Sequence, residues 1–187
     1  MTTSQPTDDS AATTATTTGE IPASRAKDEI VKEAKRIEED TLYSSKGHFA
    51  ASYFWSNFHL WMGVPTAVLA GIVAALALSG EGLVGGAVAI VIAGLTAITT
   101  FINPNEKASA HLAAGNNFDA LSNRARIFWT IDCWQEDSDR VLTEIVKDLS
   151  NQKAKLNMSS PQIPGWAYRK GRKGIEAGEA QHAVDKE

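Results

Sequence analysis

His48, His59, His111 and His182 are the imidazoles of the chain, and they are scattered. They form no His-x-x-x-His pair and have no carboxylate at the interval that would complete a zinc site. Roles in a helical stalk or at an interface suit them better. Glu38-Glu39-Asp40 and Glu136-Asp137 with Asp139 read as solvated helix faces, and Cys133 beside Trp134 reads as a small packed residue. A single cysteine excludes an internal disulfide. Gly80-Glu81-Gly82-Leu83-Val84-Gly85 matches a dinucleotide-binding pattern letter for letter. It follows an apolar helix instead of a strand, however, and lacks the βαβ setting in which those glycines approach a pyrophosphate. The sequon Asn157-Met158-Ser159 would lie in the cytoplasm, where it has no use. Arg169-Lys170-Gly171-Arg172-Lys173 is the one basic cluster; a solvated tail is the plain reading, and anionic lipid or a charged partner is the sharper one. A net charge of -4 argues against nucleic-acid binding. No catalytic, cofactor-binding or metal-ligating set emerges, and the chain is expected not to be an enzyme.

The elements that must position these residues are dominated by one feature. Between Lys46 and Glu106 the only formally charged side chain is Glu81, set in Ser79-Gly80-Glu81-Gly82 between two apolar runs, Leu60 to Leu78 and Leu83 to Asn103. Each run is close to the roughly 20 helical residues that cross a hydrocarbon core about 30 Å thick. A carboxylate at mid-bilayer would cost on the order of 3 kcal/mol, so Glu81 marks the turn of a transmembrane hairpin. The mean hydropathy of -0.18 hides this, because the rest of the 187 residues is rich in charge.

Residues 1–22 are mostly Thr, Ser, Ala, Asp and Gln, and are expected to form a disordered tail. Over 23–59, with Ser24 as an N-cap, an amphipathic helix leads into the membrane. Ile30, Ala34, Ile37, Thr41, Ser44, His48, Ala51, Trp55 and Phe58 make its inward stripe, and Asp28 with Lys32 and Glu33 with Arg36 its surface pairs. The hairpin fills 60–103, with its turn near 79–82. Over 104–157 the rhythm returns in His111, Ala114, Phe118, Leu121, Ala125 and Phe128, then in a further helix from about Ser138 through Leu142, Ile145, Val146 and Leu149. A Pro-containing segment and charged tail occupy 158–187. The fold class is therefore an all-α membrane protein: a two-helix transmembrane hairpin extended into a cytosolic helical stalk or bundle.

The segment around Glu81 is too short to hold a domain, so both large polar segments share one side. Lys46, Lys107 and Arg124 flank the hairpin there and the loop has no Lys or Arg, which places both termini in the cytoplasm. Tyr53, Phe54, Trp55, Phe58, Trp61 and Phe101 supply an interfacial belt. No N-terminal signal peptide is expected. Within the second span, Gly85, Ala89, Ala93, Thr96, Thr100 and Asn103 form a small, increasingly polar stripe, while Val84, Val88, Val91, Leu95, Ile98 and Ile102 form a large one. Gly63, Ala67, Ala70, Ala74 and Ala77 make a matching small stripe in the first. Small residues let helices approach closely where lipid gives no hydrophobic reward for contact. Two uses stay open: packing within the hairpin, or contacts between hairpins that in one state line a pore.

Asn103-Pro104-Asn105-Glu106-Lys107-Ala108, with His111, Ala114-Gly115-Asn116, Leu121 and Arg124-Ala125-Arg126, resembles the SLATT family. These are two-transmembrane effector domains associated with bacterial nucleotide-synthesising and nucleotide-sensing conflict systems. The likeness covers roughly residues 25–180 and closes with Ile163-Pro164-Gly165-Trp166-Ala167-Tyr168. The resemblance implies a membrane effector of an antiphage-type defence, placed in the bacterial inner membrane. It would form homo-oligomers in lipid and permeabilise the membrane when a nucleotide second messenger or a nucleotidyltransferase-linked partner triggers it. The alternative is a regulatory or scaffolding subunit that anchors a partner and never opens. Lys107, Arg124 and Arg126 are the candidate cations for sensing a phosphate-bearing ligand; they serve equally as interfacial anchors and stalk ion pairs. No cofactor is expected.

Overall fold

The computed structural model describes residues 23–80 and 82–181, with side chains from Arg25 onward. The expected tail over 1–22, the Ser24 cap, the Glu81 turn residue and His182 lie outside the described side chains. Every regular element among the described residues is helical.

Helix α1 (Ala23–Ser79) is 57 residues long, about 85 Å at 1.5 Å per residue, so it serves both the polar bundle and the hairpin without interruption. Pro65 lies inside it and cannot donate the N–H that its turn requires. Next to it, Thr66 Oγ1 donates to the Met62 carbonyl at 2.6 Å, while the carbonyl whose helical donor Pro65 removes is that of Trp61. Gly80 ends α1 at φ 85, a left-handed C′ position that suits glycine. Helix α2 (Gly82–Ile102) then returns along α1.

Helix α3 (Pro104–Ile127) continues downward against the lower half of α1. It passes through a π-helical turn at Phe128–Asp132 and ends in the short turn α4 (Cys133–Gln135). The π turn inserts one residue into the helical count. That shifts the inward register from the expected 121, 125, 128 series to Cys133, which is buried, and leaves Asp132 exposed. Helix α5 (Asp139–Ser159) closes a three-helix core in which Ile30, Ala34 and Ile37 of α1 meet Leu121, Ala125 and Phe128 and then Leu142, Val146 and Leu149. Of the inward stripes expected of α1, α3 and α5, Ser44, Trp55, Phe58 and Ile145 are half-buried and the rest are buried, with Ser45 buried beside Ser44. Lys32 pairs with Glu29 at 2.8 Å instead of with Asp28, while Glu33 pairs with Arg36 as expected.

Helix α6 (Gly165–Glu176) forms where a charged tail was expected. It crosses α1 at close range: a Cβ at Gly171 would lie 2.8 Å from the Lys46 carbonyl carbon and the Gly47 nitrogen. Buried Ala167 and Gly171 share that inner face.

The hairpin stands clear of the bundle. Two helices are long and apolar enough to cross a membrane, and their most apolar windows are 0% and 6% buried. Leu60, Val64, Val68, Ile72, Leu83, Ile90, Val91 and Phe101 are all exposed. A continuous apolar surface of this extent needs a covering that the described residues do not supply.

Candidate functional site: the seam between bundle and hairpin

Helix α2 becomes α3 at one residue. Pro104 has no N–H to continue the ladder and favours the first turn of a helix, so the chain must break and restart there. Asn103 takes φ 46 and ψ 61, the only left-handed non-glycine among the described residues, a conformation that asparagine tolerates better than most side chains. Its Oδ1 accepts from the Glu106 N–H at 3.4 Å, and its Nδ2 donates to the Glu106 carboxylate. The Asn103 carbonyl accepts from the Lys107 N–H at 3.2 Å. Asn-Pro-Asn-Glu is thus a kink with its own reciprocal cap, related to a capping box. Lys107 extends from it over the Trp55 ring, 4.6 Å from the centroid, and so ties the start of α3 to the aromatic belt of α1.

Just below, the α1–α3 interface turns polar. Ser52 Oγ donates to the Ala108 carbonyl at 2.9 Å. His48 and His111, both buried, approach Nδ1 to Nδ1 at 2.9 Å, and the His48 ring stacks on Phe118 with centroids 5.4 Å apart. Such a contact needs complementary tautomers, one ring donating its Nδ1–H and the other accepting. Burial, with the neighbouring His111 second, pushes His48 down to about 4; burial also lowers His111. The pair is therefore held neutral at ordinary pH. Further down, Thr41 Oγ1 donates to the Ile37 carbonyl at 2.6 Å and Ser122 Oγ to the Glu38 carbonyl at 3.2 Å. Among the described residues no buried side-chain nitrogen or oxygen lacks a partner. A cavity of about 270 Å³ lies beside the pair, lined by Ser44, His48, Phe118, Asn157 and Ile163.

The hairpin contact runs along large side chains. Half-buried Met62, Thr66, Leu69, Val73 and Leu76 face half-buried Val88, Ile92, Leu95, Thr99 and Ile102. Of the expected small stripe, Gly85 is buried against Leu76, whereas Ala89, Ala93, Thr96, Thr100 and Asn103 are exposed. Gly63, Ala67, Ala70, Ala74 and Ala77 are exposed as well. At 100° per residue, both small stripes sit about a quarter turn from the contact face. Because the helices run antiparallel, the two quarter turns come out on the same broad side of the hairpin. Trp61, Val64, Val68 and Ile72 with Val91 and Ile98 cover the other side.

Lys107, Arg124 and Arg126 do not converge. Lys107 and Arg124 are separated by about 25 Å along α3. Arg124 pairs with Asp148 of α5 at 3.1 Å, and Arg126 donates to Asn123 Oδ1 at 3.4 Å. Arg124, expected from sequence to flank the hairpin, lies about 30 Å along α3 from the Asn103 junction, and Arg126 lies beyond it. Of the dinucleotide-like glycines, Gly80 makes the turn and Gly85 packs against Leu76, while Gly82 meets open space. Among the described residues no group of three or more His, Cys, Asp or Glu is placed to hold a metal ion. The His48–His111 pair is what sequence spacing misses. The available signal was that each histidine falls on the inward stripe of its helix, so two antiparallel stripes could bring them together.

Comparison of the chain with protein-family models, with curated proteins and with solved structures finds no match.

Proposed function

We propose that the chain is a membrane effector of the SLATT kind, a two-helix hairpin in a bacterial inner membrane with both termini in the cytoplasm. Hairpins associate through their small faces and, on a signal received by the helical bundle, permeabilise the membrane. The observation that carries this reading is the uncovered small side. Large residues already hold the hairpin together, so Ala67, Ala70, Ala89, Ala93, Thr96 and Thr100 remain for contacts between copies or around water. Unbroken α1 and the capped Asn103 junction give a mechanical route from bundle to spans. A trigger moves that route only if it binds the two arrangements with different affinity; a nucleotide signal or a nucleotidyltransferase-linked partner fits the family expectation.

The test is dye and ion leakage from liposomes containing the full-length protein, paired with depolarisation of cells that overexpress it together with a candidate partner nucleotidyltransferase. Triggered leakage is expected. Thr96→Val together with Thr100→Val keeps shape but removes hydroxyls, and should suppress leakage without lowering protein level. Leakage unchanged in that variant refutes a path lined by this stripe.

A second reading, an anchoring subunit that never opens, is favoured by a different feature. Ile127, Ile131, Trp134 and Val141 are exposed at the end of the bundle farthest from the hairpin, where a partner protein would dock. Absence of leakage under every trigger would select it.

A further inference from the structure

We infer that α6 and α1 form a seat for the headgroup of an anionic phospholipid, so that the basic C-terminal helix reads the charge of the leaflet into which α1 enters. The inference rests on the membrane-spanning reading of the hairpin. Its first support is the division of α6 into two edges. Helical spacing puts Trp166, Lys170 and Lys173 on one edge and Tyr168, Arg172 and Glu176 on the other, with buried Ala167 and Gly171 between them against α1. The contacts give each edge a direction. Trp166 packs on Phe54 with centroids 4.9 Å apart, and the Lys170 ammonium lies 5.3 Å from the Tyr53 ring, so this edge faces the aromatic belt. On the other edge Tyr168 meets Tyr43, farther from the hairpin, and Arg172 is paired with Glu176 at 2.7 Å.

The second support is a groove. Lys46, Lys170 and Lys173 line a cavity of about 670 Å³ floored by Phe49 and Tyr53. Among the described residues none of the three lysines makes an ion pair, and Glu179 is the one carboxylate at the groove, so cations outnumber anions there. The third is continuity. Phe49, Tyr53, Leu60 and Val64 share one face of α1, and the last three are exposed, so beyond one polar turn at Ser56 and Asn57 an apolar track leads from the groove up the lipid-facing side of the hairpin. A phosphate diester among the lysines with its acyl chains on that track satisfies both halves of the surface. An inorganic anion would use only the first.

The full-length protein in neutral detergent can be titrated with short-chain phosphatidylglycerol, with the matching phosphatidylcholine and with inorganic phosphate, following the thermal unfolding midpoint. Phosphatidylglycerol should raise it saturably and the other two should not. Lys170→Gln with Lys173→Gln removes two cations near the surface, each worth about 1 kcal/mol, and should shift the phosphatidylglycerol midpoint about 30-fold. Arg172→Gln, on the far edge, should leave it within about two-fold, since its charge lies outside the groove. Both are surface changes whose folding is checked by the lipid-free midpoint. Equal effects of phosphatidylcholine, equal effects of inorganic phosphate, or wild-type titration by the double variant would each overturn the lipid seat. Release of the chain from cell membranes by alkaline carbonate would instead overturn the membrane reading beneath it.

Discussion

Two residues at the seam, His48 and His111, should make the bundle sensitive to acid. The folded chain holds His48 neutral down to about pH 4, whereas an unfolded histidine titrates near 6.5. Below 6.5 the unfolded chain therefore takes up protons that the folded chain refuses. The contribution is complete above about pH 6.5 and is lost as pH falls toward 4, amounting to on the order of 3 kcal/mol across that window. Thermal unfolding of the full-length protein in detergent should show the midpoint falling between pH 6.5 and 4.5. His48→Gln with His111→Gln keeps hydrogen-bonding capacity but removes the titration, so its midpoint should fall less. An identical fall in both proteins would assign the acid sensitivity to carboxylates elsewhere. Asn103 is the other residue on which much depends. Asn103→Ala forces a Cβ-bearing residue without a cap into the left-handed region and should cost about 2 kcal/mol, whereas Asn103→Gly relieves the backbone and should cost less. Chemical denaturation of the bundle would rank the two, and equal losses would mean that the cap alone matters.

At the scale of elements, the helices that could be read from sequence are those whose burial follows a 3.6-residue period over many turns. The stripes from Ile30 to Phe58 and from His111 to Phe128 announce their partners, because each buries one face against the other. Three features escaped that logic. The π turn at Phe128–Asp132 changes the period itself, so Cys133 could be read as packed but not in which register. Helix α6 is held by close backbone approach at Gly47 and Gly171, and a glycine contributes no hydrophobic signal to a pattern. The hairpin residues can be sorted into stripes by size, but which stripe faces inward depends on packing that an apolar sequence does not encode, since lipid and protein are equally apolar partners. The α6 crossing can be tested directly. Gly171→Ala places a methyl against the Lys46–Gly47 backbone, which cannot rotate away as a side chain would. Helix α6 should lift from α1 at a cost of about 1–3 kcal/mol. Trypsin should then cut at Arg169 to Lys173 faster than in wild type, with the α1–α3–α5 core unchanged. An unchanged cleavage rate would mean that α6 re-docks without close approach.

For the whole molecule, the proposed association of hairpins makes the placement of small residues the feature that would decide how copies meet. Ser52 with Ala108 and Leu76 with Gly85 set the antiparallel register, which puts Ala67 level with Ala93, and both are exposed on the same broad side. One hairpin thus offers a shallow face built from two helices, and two such faces related by a two-fold axis can close on each other without a third copy. Overpacking discriminates this face from the opposite one. Ala93→Leu adds volume where backbones must approach and should shift the protein from oligomer toward monomer, while Val91→Leu, on the side covered by larger residues, should leave the distribution unchanged. Cysteine chemistry gives an independent reading: in a Cys133→Ser background, Ala93→Cys should form an intermolecular disulfide in membranes and Val91→Cys should not. If the two leucine variants behave alike and Val91→Cys crosslinks as readily as Ala93→Cys, the small side is no interface, its exposed threonines have no path to line, and the anchoring role of the bundle becomes the better account of the hairpin.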